Sequence, residues 1–153
     1  MNILIYTHEF PPFQGGIATS AKMIADILSP ENELTVCCPD YGIDNFTEPE
    51  NFRTHRIRFV GGRNFKKVPL AQYISGFFEI KEMIKTFKPD KIIFLGEEAE
   101  LIGGLLNNKE IDQIVRIAGS GIQSIIKKKS IFKIISRFLL KRLYRSEEHT
   151  SEL

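Results

Sequence analysis

The sequence predicts an α/β fold: a parallel sheet of five strands in the order 3-2-1-4-5, with helices on both faces. Three observations predict it. Short apolar runs alternate with segments of helical spacing along nearly the whole chain. The first of these runs is apolar at almost every position, as in a strand buried on both sides. Proline and glycine punctuate the junctions between the segments.

NILIYT, residues 2–7, is the first strand. From Gly16, the positions Ile17, Ala21, Ile24 and Leu28 recur at helical spacing, and Pro30 marks the stop. ELTVCC, residues 33–38, is the second strand, turned away by Pro39-Asp40. Residues 41–53 are polar and rich in turn formers, a surface loop. HRIRFV, residues 55–60, alternates Ile57 and Phe59 with Arg56 and Arg58, the pattern of a strand near a sheet edge. After Gly61-Gly62 and a basic loop, Tyr73, Phe77, Ile80, Ile84 and Phe87 define a helix that stops before Pro89. A fourth strand at 91–95, a helix from Glu98 to Leu106, a fifth strand at 112–117 and a last helix from about Ile122 to Tyr144 complete the order. There is no internal repeat and no low-complexity segment.

With 153 residues and 42% hydrophobic side chains, the chain is one domain or a piece of one. The opening apolar run is too short for a signal-peptide core or a membrane span, which predicts a cytoplasmic protein. Cys37 and Cys38 are strand neighbours pointing to opposite faces, read as buried free thiols. Asn45-Phe46-Thr47 fits the N-glycosylation pattern but carries no weight without a secretion signal. The last nine residues, RSEEHTSEL, read as the in-frame translation of a short-read sequencing adapter. Residues 145–153 are therefore set aside, His149 and its acidic neighbours with them, and residues 1–144 form the domain. That domain carries 20 basic and 16 acidic side chains, a formal charge of +4, and the natural protein is expected to continue beyond it.

In such a sheet, ligands bind beyond the carboxyl ends of the strands, at the switch point between strands 1 and 4. Three loops are expected there: residues 8–16, Gly96 to Glu98, and Gly119 to Gly121. In HEFPPFQGGIA, Pro11 and Pro12 fix φ and are expected to hold the loop open. Gly15 and Gly16 leave bare backbone where a helix N-terminus presents its free N–H groups, a geometry suited to a phosphate. The plainer alternative is that the glycines ease a turn and close helix packing. The dinucleotide signature G-x-G-x-x-G is absent, so Asp40 after the second strand does not by itself make a ribose site. His8 and Glu9 lie at the cleft mouth if the first strand ends at Thr7, where they could contact an acceptor hydroxyl, serve as a base, or merely cap the loop in solvent. Glu97 and Glu98 follow the fourth strand, to bind acceptor hydroxyls or to cap the next helix. No metal and no cofactor is called for.

The order ILIYTHEFPPFQGGIATSAKMIADIL, then ELTVCCP, then KPDKIIFLG, resembles the N-terminal domain of family 4 glycosyltransferases, retaining enzymes of GT-B fold. The resemblance spans residues 2–144, and its most specific part is the proline-bearing loop, Gly-Gly and long helix. It implies a Rossmann-like acceptor-side domain facing a second domain that holds the nucleotide sugar, with Gly15 and Gly16 beside the donor diphosphate. The partners implied are a nucleotide-diphosphate sugar, a glycan or lipid-linked acceptor, and a C-terminal domain of the same chain. Many members carry a histidine after strand five, where this chain has Ala118-Gly119-Ser120-Gly121, so Ser120 or the loop backbone would have to replace its contacts. The family's paired glutamates belong to the second domain, so this fragment alone is expected to be inactive.

The last helix is basic and amphipathic. Lys127, Lys128, Lys129, Lys133 and Arg137 accompany an apolar stripe of Phe132, Ile135, Leu139 and Leu143. The stripe is read as packing on the sheet, and the lysines as a peripheral contact with the inner face of a membrane. A second class of function follows from the same helix: a non-catalytic module docking on a membrane or partner. Nucleic acid is not called for, since the charge is local and no binding motif accompanies it.

Overall fold

The computed structural model describes residues 1–42, 46–58, 71–106, 108 and 110–116, at 71–73 and 97–98 through the backbone alone. The elements are β1 (Asn2–Thr7), α1 (Gly16–Leu28) with a 3-10 turn (Ser29–Glu31), β2 (Glu33–Pro39), β3 (Arg53–Ile57), α2 (Ala71–Phe87), β4 (Lys91–Leu95), α3 (Glu97–Leu106) and β5 (Asp112–Arg116). The expected final helix, with Ser120 and the basic residues Lys127, Lys128, Lys129, Lys133 and Arg137, lies outside the described residues.

All five strands run parallel in the order β3-β2-β1-β4-β5, so the predicted Rossmann-like α/β sheet is the observed one. β1 is central. Ile3 to Thr7 are each buried, because both faces of this strand are covered. Ile3, Ile5, Leu34, Val36 and Cys38 face α1, meeting Ala21 and Ala25. Leu4, Tyr6, Cys37, Ile92 and Phe94 face the other way, toward Ile80 of α2 and Ala99 and Ile102 of α3. Burying each large side chain in these two layers stabilises by about 1.5–3 kcal/mol. Cys37 and Cys38 therefore divide between the two layers, both as free thiols.

α2 crosses β1 at Gly76, where a Cβ would collide with the Tyr6 hydroxyl and with Ile102 Cδ1. A glycine here lets the helix descend onto the ring of Tyr6.

β3 differs from its expected span. It begins at Arg53 and stops at Ile57, because its sole described partner, β2, pairs from Thr35 to Pro39. Asp40 N–H then closes the ladder by donating to Ile57 O at 2.9 Å, and no further β2 backbone follows for Arg58 to pair with. Among the described residues, no helix is long and apolar enough to cross a membrane.

Candidate ligand site at the carboxyl edge of the sheet

The loop from His8 to Gly15 connects β1 to α1 and crosses the carboxyl edge. Thr7 starts it: its hydroxyl accepts from Glu9 N–H at 3.2 Å and donates to Glu9 O at 3.0 Å, a local turn that threonine favours. Pro11-Pro12 is joined by a cis peptide, and Phe13 N–H donates to Phe10 O at 3.0 Å. The prolines thus close a tight turn and do not hold the loop open as expected.

Two side chains from the β2–β3 side brace this turn. The Tyr41 hydroxyl donates to His8 O at 2.6 Å and accepts from Phe10 N–H at 3.3 Å, and its ring stacks on Phe13 with centroids 5.5 Å apart. Burial raises the Tyr41 phenol above its ordinary value, so it stays protonated and able to donate. Arg56 on β3 donates to Pro11 O at 2.7 Å and forms a forked pair with Glu48, Nε to Oε1 at 2.8 Å and Nη2 to Oε2 at 3.0 Å. Burial is the largest single influence and works against the guanidinium charge, but the hydrogen bond to Glu48 and the electrostatic pull of Cys38, Glu48 and Tyr41 together outweigh it, and the pKa rises. Beneath it, Cys38 accepts from Nη1 at 3.2 Å, and burial pushes that thiol up to about 12. Neither Tyr41 nor Arg56 stood out in the sequence. Only the alternation of HRIRFV, which puts an arginine on the face that α1 covers, pointed toward it.

His8 is half-buried as a residue, but its Nδ1 is enclosed, and Nε2 lies 3.4 Å from the Tyr6 hydroxyl. Burial lowers its pKa from 6.5 to about 3, which leaves a neutral imidazole at the end of β1. Glu9 leans toward α1: a Cβ on Gly15 would come within 2.7 Å of Glu9 Oε2 and 3.2 Å of Phe13. Gly15 is thus crowded by its own loop.

Gly16 is not. Among the described residues, a Cβ there would meet nothing within 4 Å, and its φ is not among the positive ones. Neither the packing of the described residues nor backbone geometry asks for glycine at this position. The first turn of α1 has no acidic residue, and its N-cap makes no side-chain hydrogen bond among the described residues, so its leading N–H groups are left without a side-chain cap. Gly96, after β4, is the contrasting case: φ is +94° and a Cβ would lie 3.2 Å from Ile17 Cδ1. Here glycine is demanded by both backbone and packing, and it draws the end of β4 against the first turn of α1.

The structure therefore brings His8, Glu9, Gly15 and Gly16 together at one edge, with Glu97 at the start of α3 beside them on the β4 side. Glu100, one turn into α3, is 1% exposed and was not singled out in the sequence. Its place next to the buried Ala99 and Leu101 in EEAELIGG was the available signal. Among the described residues, hollows open at both ends of the sheet. One of about 260 Å³ adjoins the proline turn at the carboxyl edge, between Pro12, Tyr41 and Arg58. The other, about 390 Å³, opens at the amino ends of β2 and β3 against Met83 and Phe87. The first is at the edge where parallel sheets take ligands.

The fold and this edge define an α/β protein with a Rossmann-like sheet and, at its switch point, a helix N-terminus without a side-chain cap among the described residues. A scan against protein families finds no match to the chain, and a search of curated proteins finds none.

Proposed function

We propose that the chain is the acceptor-side domain of a retaining glycosyltransferase that moves a sugar from a nucleotide-diphosphate donor to a glycan or lipid-linked acceptor. The observation that carries the reading is Gly16. Among the described residues, it is a glycine that neither the backbone nor the packing requires, at a helix N-terminus without a side-chain cap beyond the central strand. A position kept without a side chain for no internal reason is explained by a molecule that comes close to it, and a diphosphate suits the leading N–H groups and the positive end of the helix dipole. The resemblance of the proline loop, Gly-Gly and helix to family 4 glycosyltransferases supports the same assignment.

The chemistry divides among the residues at the edge. The N-terminus of α1 stabilises charge that builds on the departing diphosphate. Glu9, whose carboxylate leans on Gly15, is repelled by an arriving anion and turns toward the acceptor, where it accepts a hydroxyl proton. His8, neutral at physiological pH, borders the acceptor side of the edge without adding charge. A second domain supplies the remaining groups that hold the sugar nucleotide.

The test uses the intact gene. Its reading frame beyond codon 144 is expected to encode a second βα domain with paired glutamates, and its full product to transfer sugar from a nucleotide-diphosphate donor. Gly16→Val in that product is expected to abolish transfer while the protein stays folded by circular dichroism. Unimpaired transfer by the variant would remove the role of the loop, and a frame without a second domain would remove the enzyme reading.

A further inference from the structure

We propose that the hollow between the proline turn and the ends of β2 and β3 is a subsite for one sugar ring of the acceptor, rather than for a phosphorylated headgroup. The inference rests on the acceptor-side reading above and specifies what the acceptor presents.

The size fits one ring. The hollow measures about 260 Å³, and a pyranose with its hydroxyls occupies roughly 200 Å³ at the packing density of protein interiors. Its lining is the chemistry that a ring of alternating C–H faces and hydroxyl edges needs. Phe46 and Pro12 offer apolar surface for the ring face, and Asp40, Glu48 and Arg58 offer planar groups for the hydroxyls.

The hydrogen-bonding capacity is unspent on the outer side. Asp40 accepts from Gly42 N–H at 2.9 Å through Oδ1, while the partner of Oδ2 among the described residues is the Arg58 guanidinium at 3.6 Å. The Arg58 side chain is 90% exposed and Asp40 35%. A carboxylate has about four lone-pair sites and a guanidinium five N–H donors, so both can take vicinal hydroxyls in a forked geometry.

Charge decides against a phosphate. Two guanidiniums and two carboxylates border the hollow, but Arg56 already gives its N–H groups to Glu48, Pro11 O and Cys38. Among the described residues, a phosphate would meet only the Arg58 guanidinium, already 3.6 Å from Asp40 Oδ2, with two carboxylates alongside, whereas a neutral polyol meets donors and acceptors together. Pro12 belongs to both the hollow and the turn that leads to Gly15 and Gly16. A ring seated there therefore sits beside the loop proposed to face the donor.

The experiment is a titration of the ¹⁵N-labelled 153-residue chain. The probes are methyl glycosides of glucose, galactose, mannose and N-acetylglucosamine, and sn-glycerol 3-phosphate as the headgroup analogue. At least one glycoside is expected to give saturable amide shifts at Asp40, Gly42, Glu48 and Arg58, with Kd on the order of millimolar. Asp40→Asn and Arg58→Gln should each weaken it fivefold or more, and glycerol phosphate should not saturate. Saturation by glycerol phosphate but by no glycoside overturns the proposal, as does the absence of saturable shifts with any probe, or glycoside binding that both variants retain in full. The outcomes also separate this inference from the enzymatic reading. Glycoside binding at this site, together with a full-length product that transfers no sugar, leaves the subsite standing and removes the enzyme. Transfer to a sugar acceptor that is indifferent to both substitutions does the reverse.

Discussion

The loop after β1 has two halves that are built differently. From His8 to Phe13 it is held: Tyr41 ties His8 O to Phe10 N–H, Arg56 grips Pro11 O, and Phe13 stacks on Tyr41. At Gly15 and Gly16 it carries no side chains, with a glycine crowded by Glu9 and Phe13 followed by one whose missing side chain would touch none of the described residues. The contrast separates two uses of a loop. The first half spends buried hydrogen bonds to fix where the second half stands, and the second half offers only backbone to whatever arrives. Rigidity and accessibility are placed in adjacent residues.

The comparison can be broken hardest at Arg56. Arg56→Ala removes a forked ion pair and the donor to Pro11 O from a side chain only 17% exposed. The expected loss is about 3 kcal/mol, read as a lower midpoint in urea unfolding. A loss under about 0.5 kcal/mol, the range of ordinary surface changes, would mean that the first half is not held by this contact.

Acid tests the same half. The His8 pKa is lowered in the folded state from 6.5 to about 3, so the unfolded chain takes up a proton over a range where the folded one does not. Stability therefore falls as pH drops below 6.5, by about 1.4 kcal/mol per unit, and the loss is complete near the folded value. At pH 5 this amounts to roughly 2 kcal/mol. His8→Asn should flatten that part of the stability profile relative to the parent, and parallel profiles would show that the imidazole is not kept neutral by burial.

The smallest effect has the opposite sign and sharpens the other half. Gly16→Ala adds a methyl group that meets none of the described residues, at a φ that alanine adopts. It should raise stability by about 0.4–1 kcal/mol through the unfolded chain's lost freedom. A destabilised variant would show that Gly16 serves the fold after all.

Much of this fold was legible because burial on both faces writes itself as unbroken apolar runs. NILIYT, ELTVCC and KIIFL are strands at the expected positions, and Gly16 begins α1 as the spacing indicates. The edge strand was legible in kind but not in extent, since its bounds are set by where Pro39 ends its partner. The candidate site was half legible. Gly15, Gly16, His8 and Glu9 announce themselves as neighbours in one loop. The groups that fix this loop come from residues more than thirty positions away, and periodicity carries no information about such contacts. Arg56 and Arg58 share a parity in HRIRFV, yet one side chain is 17% exposed and the other 90%. What separates them is the proline turn lying over the first and not the second.

The adjacent cysteines have a consequence of their own. Cys37 is sealed in the layer under α2 and α3, and Cys38 in the layer under α1, against the Arg56 guanidinium. A thiol reagent can reach either one only when its own side of the sheet opens. The chain thus carries two native clocks, one residue apart, for the separate breathing of its two layers. The one at Cys38 runs at the rate at which the brace on the proline turn lets go.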